Sequence, residues 1–193
     1  MERLDEHLTP REAVLVLIDA AGGALDGRTA LQKLAYFGAL ALDEDLGHTP
    51  YYYGPFSRDI EQAVADAGLA DELVETVNQF PASHRRGPDI KQYRYELTED
   101  GHRSVQEIRQ RAPRAAERID RAVAEIREAV PELDQQVLSR AAKIHLILSR
   151  QDSEIEADEI PALARELGWE LDEEEVRTTV ELMERLHLVE VGA

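Results

Sequence analysis

Residues 27–57 read GRTALQKLAYFGALALDEDLGHTPYYYGPFS, and the fold turns on how this stretch divides. Leu31, Leu34, Ala35 and Gly38 repeat at i, i+3, i+4 and i+7, the stripe of an amphipathic helix beginning after Gly27. Gly38 weakens that helix by about 1 kcal/mol relative to alanine. Its missing side chain suits a face where another element packs closely. Asp43, Glu44 and Asp45 close the helix, Gly47 breaks it, and Thr49–Tyr53 suits a strand or extended arm. Gly54-Pro55 is a turn signal, and Ser57 is placed to cap the next helix.

The flanks extend this pattern. Thr9-Pro10 starts a helix that Gly22-Gly23 stops. After Ser57, Ile60, Val64 and Ala67 supply the inner face of a third helix ended by Gly68. Leu73–Gln79 has strand composition, and Lys91–Leu97 alternates, with Tyr93, Tyr95 and Leu97 on one face. The turn between them carries His84, Arg85 and Arg86, so the two form a hairpin with a basic tip. Thr98 caps another helix, whose first turn holds Glu99 and Asp100 at its positive end. The expected fold is mostly α with a small β-hairpin (α+β): a winged helix-turn-helix over residues 1–112.

Pro113 restarts the chain in a helix with Ile119, Val123, Ile126 and Val130 on one face and arginines and glutamates on the other. A narrow apolar stripe on a charged helix fits a dimer seam, or equally a connector packed on its own domain. Residues 113–131 are accordingly expected to be a linker or dimerisation helix. Residues 132–193 are expected to form a helical C-terminal region ending in a short strand, LHLVEV. Their punctuation echoes the first half, as a second, wingless helix-turn-helix would; a helical bundle gives similar punctuation by chance.

Three ordered segments, LQKLAYF (31–37), YYYGPFS (51–57) and YRYELTEDG (93–101), resemble the YwgA-like proteins of bacteria and archaea. More distantly they are similar to the Panacea antitoxin-associated domains. The resemblance covers residues 8–110 and implies a winged helix-turn-helix fold without implying a particular chemistry.

Composition narrows the class. The 193 residues include 22 basic and 40 acidic side chains, for a net charge of −18. Only Lys33, Lys91 and Lys143 are lysines. Spread acid with few lysines looks like the proteins of salt-loving archaea; the other reading is a chain that repels nucleic acid. The absence of cysteine excludes disulfides, thiol catalysis and thiolate zinc sites. The sequence has no apolar run long enough to span a membrane and no signal core, so a cytoplasmic protein is expected.

The six histidines have no metal-ligand spacing, and no phosphate-binding glycine loop occurs. Neither an enzyme nor a cofactor or metal is expected. His145 reads as a core histidine.

Binding is therefore the expected role. Residues 83–121 hold ten basic and seven acidic side chains, a positive stretch in an acidic chain. A winged helix puts its third helix in the major groove and its wing near the backbone. Arg58 and Gln62 are the candidate base readers, with Arg85, Arg86, Lys91 and Arg94 on phosphates and Arg28 and Lys33 as secondary contacts. Asp59, Glu61 and Asp66 on the same helix oppose phosphate. Pairing of the arginines with local acids is the alternative to anion binding, and Lys33 is expected to pair with an acid. Alternation along Tyr51, Tyr52 and Tyr53 would bury either Tyr52 or the other two, so core packing is expected rather than stacking on bases. The two roles that follow are a homodimeric double-stranded-DNA-binding regulator and a protein-interaction module, for which the acidic third helix and the −11 charge of residues 151–193 argue.

Overall fold

The structure, a computed structural model, describes residues 6–80, 90–151 and 153–189, with Phe80 and Ile90 described in their backbone only. It is mostly helical with small antiparallel sheets, as the patterning predicts. Helix α1 (Pro10–Ala20) begins at a capping box in which Thr9 and Glu12 satisfy each other's backbone N–H groups. Residues Ala13 to Ile18 are buried without interruption. A helix apolar all round is one that others surround. Accordingly α1 packs against α2 (Arg28–Leu42), α3 (Arg58–Leu69), α4 (Glu99–Arg111) and α5 (Pro113–Ala129). At the α1–α2 crossing a side chain on Gly38 would come within 3.2 Å of Leu17 Cδ2, which accounts for the glycine on that face.

The hairpin of β4 (Leu73–Phe80) and β5 (Ile90–Leu97) forms with Tyr95 and Leu97 facing the core. It is joined by a strand that the sequence did not announce, β1 (Ala24–Asp26), giving the order β1-β5-β4. Two further residue pairs, β2 (His48–Thr49) and β3 (Phe56–Ser57), bracket the tyrosine run. The wing tip, with Arg85 and Arg86, lies outside the described residues.

Helix α5 corrects the dimer expectation. Ile119, Val123, Ile126 and Val130 are all buried, because α5 lays its apolar face on α1 and α2 of its own chain. No seam is left for a second copy on that face. The arginines around it are mostly committed within the chain. Arg109 holds α4 to Asp120 on α5 and to Asp19 on α1, the latter at 2.8 Å. Arg111 reaches Glu12 at 2.5 Å. The positive stretch is thus largely an internal clamp.

After a short turn, α6 (Gln135–Leu148), α7 (Ile160–Glu166) and α8 (Glu173–Arg185) pack on one another, with α6 seated on α2. Buried residues run continuously from Leu8 to Met183, so the core crosses the boundaries expected at 112 and 131. Leu186 to Leu188 turn rather than extend, so no terminal strand forms among the described residues, and the rest of the expected strand, 190–191, lies outside them.

Candidate functional site

The two conspicuous motifs of the opening stretch are held together by side chains of the first acting on the backbone of the second. Gln32 donates to the Ser57 carbonyl at 3.0 Å and accepts from the Ser57 N–H at 2.9 Å. Lys33 donates to the Pro55 carbonyl at 2.6 Å. From the far end of the chain, Ser139 on α6 donates to the Tyr53 carbonyl at 2.5 Å, and the Trp169 indole N–H donates to the Tyr51 carbonyl at 2.7 Å. Lys143 sits over the Trp169 ring at 5.6 Å. Tyr51 and Gly54 exchange backbone hydrogen bonds, closing a tight turn. Gly54 has φ +97°, and a side chain there would meet Lys143, Lys33 and the Ser139 carbonyl within 3.4 Å, so only glycine fits.

Two expectations fail here for one reason. The turn is anchored by its carbonyls, so the rings are left at the surface: Tyr51, Tyr52 and Tyr53 are 55%, 77% and 69% exposed instead of in the core, with the Tyr51 ring 5.0 Å from that of Tyr52 and 5.3 Å from that of Phe56. Among the described residues Lys33 pairs with no acid, and at 2% exposure it is too buried to touch a phosphate; its partner is a carbonyl. Burial, reinforced by the charge of Lys143, lowers the Lys33 pKa to about 8. His145 is largely enclosed, as expected, and its Nδ1 lies 2.8 Å from the Tyr36 hydroxyl, tying α6 to α2. Burial lowers the pKa of His145 and raises that of Tyr36 to about 12.

Between this turn, the start of α2, the start of α3 and strand β5 lies a cleft of about 1020 Å³. Five cations border it: Arg28, Lys33, Arg58, Lys91 and Arg94. They face three acids, Asp26, Asp59 and Glu61. Arg94 pairs with Asp26 at 3.0 Å, and Arg28 pairs with Glu61 at 2.9 Å while lying 5.1 Å from the Tyr93 ring centre. Arg58 and Lys91 have no acidic partner among the described residues. Of the proposed DNA contacts, Gln62 stands apart from the cleft, its amide donating to Asp66 at 2.8 Å along α3. Ser139, Lys143 and Trp169 were not foreseen as part of this region, because nothing local to them in sequence marks them. Gln32, inside LQKL, carried the only readable signal.

No protein-family model matches the sequence, and no curated protein matches it.

Proposed function

We propose that the chain is a DNA-binding regulator of the winged-helix class, working in the cytoplasm of a salt-adapted cell. The observation that carries this reading is the meeting of Arg28, Arg58, Lys91 and Arg94, from two helices and a strand, on one cleft of a strongly acidic chain. A strand between the first two helices that joins the later hairpin supports the winged-helix reading. Local positive charge neutralises phosphates, and the negative remainder limits indiscriminate binding. In this reading the chain acts by binding and carries no catalytic step. The test is a mobility-shift titration with pooled duplex DNA in molar potassium chloride. Wild-type protein should retard the DNA, and Arg58→Ala with Lys91→Ala should abolish retardation. Equal retardation by both proteins, or none by either, removes the reading.

A second reading is a protein-interaction module, favoured by the three exposed tyrosines and by Leu69, 85% exposed at the end of the acidic α3. Tyrosine is enriched at interface centres. It predicts a stoichiometric protein partner lost on Tyr52→Ser, with no protection of DNA.

A further inference from the structure

The cleft is lined by more than charge. Tyr51, Tyr53 and Phe56 border it from the turn, and Asn78, Gln92 and Gln135 present amides. Its volume is at the upper end of the roughly 300–1000 Å³ in which proteins enclose one small molecule. The charges inside it sort simply. Arg28 and Arg94 are neutralised by Glu61 and Asp26. Lys33 is turned to a carbonyl. That leaves Arg58 and Lys91 against Asp59, two cations and one acid without an ion-pair partner among the described residues. Such a surplus is enough to hold one phosphate group at a time. Exposed rings beside those cations offer a stacking surface that any base satisfies, since every base has a π-face.

We propose that this cleft binds a phosphorylated nucleoside carrying one phosphate per base, the base against Tyr51 and Tyr53 and the phosphate on Arg58 and Lys91. The ligand is either a free nucleotide or the end of a single strand; the recognising chemistry is the same. The site stands whether or not the protein binds duplex DNA. It also has a built-in reporter. Trp169 is the only tryptophan, and its N–H holds the Tyr51 carbonyl of the turn that borders the cleft.

The experiment is isothermal titration calorimetry of the full chain in molar potassium chloride, with each of the four nucleoside monophosphates and with single-stranded hexathymidylate. Trp169 emission is followed in parallel. At least one probe should give saturable one-to-one heat. Arg58→Ala with Lys91→Ala, and separately Tyr53→Ala, should each weaken it about tenfold or more. All three side chains are exposed, so unchanged circular-dichroism melts will show that the variants fold. Binding of a monophosphate identifies a free nucleotide as sufficient; binding of hexathymidylate alone identifies a strand. Absence of saturable heat with every probe, or binding that neither variant weakens, overturns the proposal. Failure of duplex retardation leaves it standing.

Discussion

Lys33 provides the sharpest test of how the tyrosine turn is supported. The residue is 2% exposed, its hydrogen-bond partner among the described residues is the Pro55 carbonyl, and Lys143 adds a second positive charge nearby. The fall in pKa from 10.5 to about 8 corresponds to about 3 kcal/mol at roughly 1.4 kcal/mol per pH unit. The sign follows from proton counting. Below pH 8 the native and unfolded chains both hold the proton, and stability does not depend on pH through this group. Between about 8 and 10.5 the native chain has released it and the unfolded chain has not, so stability rises with pH. Lys33→Met removes that dependence while keeping much of the side-chain volume. Denaturant unfolding of both proteins from pH 7 to 10.5, at fixed salt, should show the wild type gaining about 3 kcal/mol on the variant. Taking the difference cancels the other titrations to first order. A difference that stays flat across this range refutes the buried, proton-shedding amine.

The remaining predictions concern the core. Glu72 is buried where it accepts from Arg11 at 2.6 and 2.7 Å and from Ser104 at 2.7 Å. Burial alone would raise its pKa, but these hydrogen bonds outweigh it and hold the carboxyl below 4.5. The advantage of wild type over Glu72→Gln should therefore be complete above pH 4.5 and shrink as pH falls through the lower native value. Acid denaturation curves of the two proteins check this. Ile119→Ala should cost about 2–5 kcal/mol, the range for emptying a filled core position, with a melting temperature independent of protein concentration. Concentration-dependent melting would instead return α5 to the role of a dimer seam.

What could be read in advance, and what could not, separates along physical lines. The caps were legible because they are local: Thr9, Ser57 and Thr98 each accept from the backbone N–H of the third residue of the helix they begin. The inward face of β5 was legible because alternation is local too. Strand β1 was not, since Ala24, Leu25 and Asp26 lack the β-branched signature and are extended only because β5 pairs with them. Periodicity showed that α5 has an apolar face but not that α1 and α2 cover it. Alternation suggested that Tyr52 or its two neighbours would be buried, yet the anchoring atoms are the carbonyls of Tyr51 and Tyr53, which side-chain alternation cannot show. For the candidate site, Arg28, Arg58, Lys91 and Arg94 were named from sequence and meet at one cleft. Lys33 was named for the wrong role, and Gln62 lies elsewhere.

The turn that frames the cleft is held from positions 86 and 118 residues downstream, by Ser139 and Trp169. A ribosome releases those residues long after the sheet and the first three helices have left the exit tunnel. The nascent protein therefore carries its cations into the cell before the frame around them exists. Contacts this distant along the chain close slowly, so competence for any ligand of the cleft begins only once Ser139 and Trp169 have been made and have docked on the turn.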